Sequence, residues 1–313
     1  MSKTLITGGA GFVGNNLARL IKPTVLLDWR APNYLFEDDG SLVFDECEFV
    51  HGDIRNDDDL NDCLNFGGID SIIHLASIPG IKKCKESPDL AESVNVDGTE
   101  NVLKFAREND ISNLIFASSA GVYGEIVEHP ITEEHPLDPL NFYSKTKRRG
   151  EDLCKEYGED YGLNITVMRM SNLYGPSFQV KPNLTVIPLF ILKALQNETL
   201  TIYGDGEQTR DFVHVEDVAQ AYRKAFESDG SGFQVYNLGS GQTTSMNELA
   251  DIIIETMEDL YGRETEAENV KPPEWRDEAE ERFDYSIEKI REGLEYEPKF
   301  SLREGIEKIM RRI

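Results

Sequence analysis

Short apolar runs alternate with amphipathic stretches through the first half of the chain, and Gly, Pro, Asn or Asp bounds most of them. Residues 3–7 form an apolar run of strand length. A glycine-rich turn follows at once, then an apolar-periodic helix over 15–22 that Pro23 ends. A second strand over 24–28 finishes on Asp28. The pattern then repeats: a strand at 49–54, an acidic helix at 56–65, a strand at 69–75 and a long helix at 89–109. A strand at 114–119, a helix at 143–161 and a strand at 164–168 complete it. Strands alternating with helices at this spacing predict a doubly wound parallel sheet, an α/β fold.

After residue 171 the alternation becomes irregular. Helices are expected at 186–196, 216–227, 245–261 and 302–312, with a strand at 200–204 and a loop over 205–211. The stretch 235–239 has the character of a strand that returns to the main sheet. Residues 264–281 are charged, contain proline and are expected at the surface. The chain is therefore divided into residues 1–171, to which about 212–243 return, and a smaller, discontinuous α+β lobe over 172–313. No internal repeat is visible.

The first turn is Gly8-Gly9-Ala10-Gly11-Phe12-Val13-Gly14, with glycines spaced GxxGxxG at 8, 11 and 14. Glycine there allows a tight turn, close approach of backbone N–H groups to a pyrophosphate, and close helix–strand packing, as in Rossmann folds. The helix N-terminus that follows favours negative phosphates. Asp28, at the tip of the second strand, can accept from the adenosine ribose hydroxyls and repel a 2′-phosphate, which favours NAD over NADP. Arg30 is a counterweight, because an arginine there could hold that phosphate. Asp53, at another strand end, is placed to meet the adenine amino group.

Composition narrows the partners. The 313 residues carry 58 Asp+Glu against 32 Lys+Arg, a net charge of −26. Such a field repels nucleic acid and anionic membranes at long range. No apolar run approaches a bilayer span, and the N-terminus does not have the form of a signal peptide, so a cytoplasmic protein is expected. Cys47, Cys63, Cys84 and Cys154 are scattered, without metal spacing; free thiols are expected, with no metal and no disulfide framework. Any anionic substrate must be drawn in by local cations.

Tyr143 and Lys147 stand at i and i+4 on the helix over 143–161, on one face. An ammonium beside a phenol favours the phenolate, so Tyr143 is expected to have a lowered pKa and to serve as acid/base. Ser119 closes a parallel strand, where open α/β sheets place ligands. His74 also ends a strand but is expected to be a packed core residue. Lys82, Lys83 and Lys85 form a small basic knot after the fourth strand.

The stretches TGGAGFVG, HLAS, SSAGVYG, YSKTK, MRMSNLYGP, IYGDGEQTRDFVHVEDVA and YNLGSG, in this order, resemble the extended short-chain dehydrogenases/reductases of the NAD-dependent epimerase/dehydratase family. The resemblance covers essentially the whole chain. It implies that Tyr143 takes the proton from a sugar hydroxyl while hydride passes to NAD. Lys147 would hold the nicotinamide ribose, and Ser119 would bond the reacting oxygen. Gly8, Gly11, Phe12, Val13, Asp28, Asp53, Ile54, Leu75, Ala76, Asn95 and Ser118 would line the cofactor. Asn172 and Arg210 would bind the diphosphate of a nucleotide sugar, with Tyr203 and the Val186 amide at its base. Arg276 would add a phosphate contact, although Arg276-Asp277-Glu278-Ala279 departs from the family's Arg-x-Gly-Asp. A homodimer through the helices at 89–109 and 143–161 is implied as well.

Beside Ser119 the family's dehydratases carry Asp-Glu and its decarboxylases Ser-Glu, whereas this chain has Ala120 and Gly121. The expectation is therefore a nucleotide-sugar 4-epimerase, with UDP-glucose and UDP-galactose favoured. Lys82 falls where similar uronic-acid epimerases have arginine, which keeps UDP-glucuronate open, along with UDP-N-acetylglucosamine. A decarboxylase, dehydratase or reductase, or a non-catalytic regulator that binds NAD, stands behind these.

Overall fold

The computed structural model describes residues 3–30, 47–176, 185–228, 230–272 and 282–312. Its first half runs β1 (Lys3–Thr7), α1 (Phe12–Ala18), β2 (Thr24–Asp28), β3 (Cys47–His51), α2 (Asp57–Asp62), β4 (Ile69–His74), α3 (Ile81–Glu86), α4 (Pro88–Glu92), α5 (Gly98–Glu108), β5 (Asn113–Ser119), α6 (Phe142–Tyr161) and β6 (Asn164–Met170). The second half runs β7 (Asn172–Tyr174), α7 (Val186–Leu195), β8 (Leu200–Tyr203), β9 (Thr209–His214), α8 (Val215–Glu227), β10 (Phe233–Leu238), β11 (Thr243–Ser245), α9 (Met246–Tyr261), β12 (Ala267–Val270), α10 (Glu288–Leu294) and α11 (Leu302–Met310).

The main sheet has seven strands in the order β10-β6-β5-β4-β1-β2-β3. Every pairing in it is parallel. A parallel sheet is covered on both faces, so its strands are apolar on both sides rather than alternating. Leu5, Ile72, Leu114 and Ile165 face the core under α2, α5 and α6. Their neighbours Ile6, Ile73 and Ile115 face the opposite core, with Leu17 of α1 and Val218 of α8. The lobe has a third core from α7, α9 and α11, around Phe190, Leu249 and Ile306. Its small sheets are β7-β9-β11 and β8-β12.

Caps explain where the long helices begin and stop. The Asn141 side chain accepts from Ser144 N–H at 2.9 Å and starts α6. Gly162 ends it with φ 75°, a left-handed conformation that costs glycine little. Ser245 and Glu248 form a capping box on α9, as Ser301 and Glu304 do on α11.

Several expectations change. The long helix at 89–109 is interrupted by a π-helical turn over Ser93–Asp97, between α4 and α5. The loop expected over 205–211 gives way to β9 from Thr209 onward. The return of a strand near 235–239 is found as β10 beside β6. The segment after 281, assigned to the lobe, instead packs Tyr285, Ile287, Ile290 and Tyr296 into a main-sheet core. Its apolar residues are sparse in a charged stretch, so periodicity did not reveal them. Among the described residues no helix is long and apolar enough to cross a membrane.

With a net charge of −26, the compact state repels itself. Raising KCl from about 0.1 M to about 1 M shortens the screening length to roughly 3 Å and should raise the thermal unfolding midpoint. A midpoint that stays level or falls across a salt series followed by circular dichroism would count against that self-repulsion.

Candidate active site

A cleft of about 810 Å³ runs along the carboxyl ends of the main-sheet strands and between them and the lobe. The glycine turn, Asp28, Asp53, Ile54, Leu75, Ala76, Tyr143, Lys147, Asn172 and Val186 all line it. This is the size range of ligand pockets, at the place where open parallel sheets bind ligands.

The turn leaves no room for side chains. A Cβ on Gly8 would lie 2.8 Å from the Ala76 amide nitrogen, and one on Gly14 2.5 Å from the Gly8 carbonyl. Gly11 is the N-cap of α1 and offers no side chain to its first turn. The N–H groups there remain for an anion. The buried Asp28 carboxylate accepts from Ala10 N–H at 3.1 Å, so it braces the turn. It also accepts from Arg30 N–H at 2.9 Å and pairs with the Arg30 guanidinium at 3.5 Å. Bare turn, helix start and strand-end acid fit a dinucleotide. The Asp53 carboxylate is already engaged: Arg55 grips it at 2.6 Å and holds it below its usual range.

In the same cleft, α6 presents Tyr143 and Lys147 one turn apart. Lys147 is 4% exposed and donates to the Ala117 carbonyl at 2.7 Å. Burial brings its pKa down to about 8, and Cys154, Cys84 and Glu151 oppose that fall. The Tyr143 phenol is pushed up to about 12, first by burial and next by Cys84, while a hydrogen bond with Ser119 works the other way. The lowered phenol expected from Lys147 is therefore absent in the protein by itself. The ammonium is aimed at the floor of the cleft and is spent on a carbonyl. Ser119 also accepts from Gly121 N–H at 3.2 Å, which orients its hydroxyl at the strand end.

Other expected residues do different work. Asn95 is buried, accepts from Ile78 N–H at 2.7 Å and donates to Thr146 at 3.0 Å. It ties the loop after β4 to α6 and is not part of the cleft wall. The Ser118 hydroxyl is likewise turned inward, onto Glu151 at 2.5 Å. The Asn172 amide donates to the Asp211 carbonyl at 3.2 Å and so joins β7 to β9. Lys82 is not in the cleft: its side chain is 88% exposed and lies 3.9 Å from Glu86. Its neighbour Lys83 lines the wall instead, because each step along α3 turns the side chain by about 100°. Tyr203 and Arg210 are not among the lining residues; Arg210 shares a face of β9 with Phe212, which is. Arg276 lies outside the described residues.

His74 is buried with both ring nitrogens engaged. Thr99 donates to the Asn95 carbonyl, so its oxygen is open to the His74 Nε2 proton at 3.0 Å. Thr7 then donates to Nδ1 at 2.6 Å. Burial brings the ring down to about 3, and this is the packed histidine expected. The four cysteines are buried and free.

A family model described as the NAD dependent epimerase/dehydratase family matches residues 4–239, and the chain belongs to that family. Its cofactor is NAD. A protein of Methanocaldococcus jannaschii, provisionally named a UDP-glucose 4-epimerase, is 38% identical over 98% of this chain and 96% of its own length. The UDP-glucose 4-epimerase of Thermotoga maritima, solved with UDP-glucose, superposes with a TM-score of 0.86 at 26% identity, over 99% of this chain and 97% of that one. The Thermus thermophilus UDP-glucose 4-epimerase, solved with NAD, gives 0.82 at 28%, over 99% and 98%.

The histidines carry a pH consequence. Burial holds His74 at about 3 and His214 at about 4, below the ordinary imidazole value of 6.5. A depressed folded-state pKa means stability that is full above about pH 6.5 and is lost progressively as pH falls from there to about 4 and 3. The raised carboxyls of Asp211 and Asp217 act in the opposite sense. Urea unfolding at neutral pH and near pH 5 should therefore show less acid loss in His74→Gln than in the wild type, and equal losses would remove His74 from this role.

Proposed function

We propose that the protein is a nucleotide-sugar 4-epimerase acting on UDP-linked sugars, with UDP-glucose and UDP-galactose as the favoured pair. The observation that carries the reading is what stands beside Ser119. Ala120 is packed in the core, and a Cβ on Gly121 would lie 2.5 Å from the Ser144 hydroxyl. Elimination and decarboxylation both lose the carboxylate that similar enzymes place there. What remains is a base, a hydroxyl that shares its proton, and a cation.

When bound, the cofactor would supply a hydride acceptor that is also the donor, and in its oxidised form a positive charge. Tyr143, bonded to Ser119, receives the proton of the sugar 4-hydroxyl and later returns it. Its high pKa in the protein alone means that added positive charge in the cleft must bring it down. The sugar, oxidised to the 4-keto form, turns over between the two transfers, so hydride returns to its other face. Lys147 is mostly charged below about pH 8 in the protein by itself. Asp28 supports NAD as its ribose partner. Arg210, on the Phe212 face of β9, is proposed for the substrate diphosphate. A homodimer through the α4–α5 region and α6 belongs to the same proposal, supported by the family resemblance.

Lys83 favours a second reading. A cation in the cleft wall of an acidic chain suits a sugar bearing a carboxylate, so UDP-glucuronate is the alternative substrate. Incubating the protein with NAD and UDP-glucose, UDP-glucuronate or UDP-N-acetylglucosamine, and resolving the products, tests both. A C4 epimer of one sugar is expected; release of CO₂, loss of water, or no epimer from any of them would sink the proposal. Tyr143→Phe should cut turnover by at least about 10²-fold while sugar-nucleotide binding by calorimetry stays within about twofold. A near-normal rate in that variant would remove Tyr143 as the acid/base.

A further inference from the structure

We infer that Glu151 is a positioning residue of this site, tying the strand end that carries Ser119 to the helix face that carries Tyr143 and Lys147. The inference rests on the proposed chemistry only in needing C4 oxidation as its first step.

Glu151 follows Lys147 by four residues, as Lys147 follows Tyr143, so the three share one stripe of α6. It is 1% exposed, and its partner Arg169 on β6 is 4% exposed. A carboxylate so far from water must be paired and fully hydrogen-bonded. Its Oε1 accepts from the Ser118 hydroxyl at 2.5 Å and from Arg169 Nε at 3.1 Å, and Oε2 accepts from Arg169 Nη2 at 2.8 Å. Arg148 stands 3.8 Å from Oε2. Ser118 directly precedes Ser119 and points to the other side of β5. Its bond to Glu151 therefore fixes how far β5 slides against α6, which is the separation of the Ser119 hydroxyl from the phenol.

The anchor is itself held. Arg169 Nη1 donates to the Tyr123 hydroxyl and to the Glu133 carbonyl, both at 3.1 Å. The Tyr123 hydroxyl donates to Asn237 Oδ1 on β10. Asn237 in turn donates to the Ile131 carbonyl at 3.0 Å and the Ser286 carbonyl at 3.2 Å. One carboxylate thus sits at the head of a chain of bonds through β5, α6, β6, β10 and the segment before α10.

Glu151 also acts on Lys147 by charge. The groups facing that ammonium are Cys84 from α3, Cys154 and Glu151 from α6, His74 from β4, the Phe116 ring at 5.1 Å and the Ala117 carbonyl. Burial pushes both thiols up, and His74 is neutral. Of these, Glu151 supplies the negative charge.

The test uses full-length holoenzyme and follows reduction of bound NAD by a nucleotide sugar, which precedes any choice among products. Glu151→Gln should slow that reduction about 10–100-fold with KM within about twofold, and its alkaline limb should move to lower pH as Lys147 loses its anion. A limb that does not move, with activity lost only in step with folded protein, would overturn the inference. Should Glu151→Gln fail to fold, Ser118→Ala keeps the ion pair intact and decides. A rate lowered about threefold or more at an unchanged melting temperature supports it, and an unchanged rate overturns it. A wild type that reduces NAD yet makes no C4 epimer would sink the epimerase reading and leave these outcomes readable.

Discussion

A parallel sheet covered by helices on both faces leaves polar side chains two places, the strand ends and buried pairs. Both are used here. Asp28, His74 and Ser119 stand at or beside the carboxyl ends of β2, β4 and β5. Because all the strands run one way, these residues gather at one edge of the sheet. The glycine turn leaves the same edge, and α6 brings Tyr143 and Lys147 over it. The cleft follows from the topology, and its chemistry from which residues sit at the ends.

Buried carboxylates join the lobe and the helices to that edge. Asp211, 1% exposed, accepts from the Ser171 hydroxyl at 2.7 Å, Ser240 N–H at 2.9 Å and Gly241 N–H at 2.7 Å. It locks β9 to the exits of β6 and β10. Asp217 accepts from Lys299 N–H at 2.8 Å and Phe300 N–H at 3.2 Å, and so fastens the approach to α11 onto α8. Glu151 with Arg169 does the same for α6. Removing one partner of the Glu151–Arg169 pair costs about 3–5 kcal/mol, because the other is left buried and uncompensated. These groups set the register between pieces that apolar packing alone would let slide.

The parts legible in the sequence were those whose period or local chemistry is self-contained. The β–α alternation, the glycine turn with Asp28, and the Tyr143–Lys147 spacing each lie within a few residues. Long-range bonds were not legible. Asn95 and Ser118 were expected as cofactor contacts on the family resemblance, yet Thr146 and Glu151 claim their side chains. Lys82 and Lys83 differ by one step on α3, and only the helix phase sends one into the wall and the other to solvent. The third i+4 step, from Lys147 to Glu151, was present in the sequence. Its meaning needed Arg169, which is eighteen residues further on and reached only through the fold.

The lowered phenol expected from Tyr143–Lys147 was a pairwise argument, and the surroundings outweigh it. Burial acts on both groups at once, raising the phenol and lowering the ammonium. A site tuned this way holds Tyr143 protonated in the protein by itself. Glu151 sits on the other side of that balance: its carboxylate opposes the loss of the Lys147 proton that burial promotes.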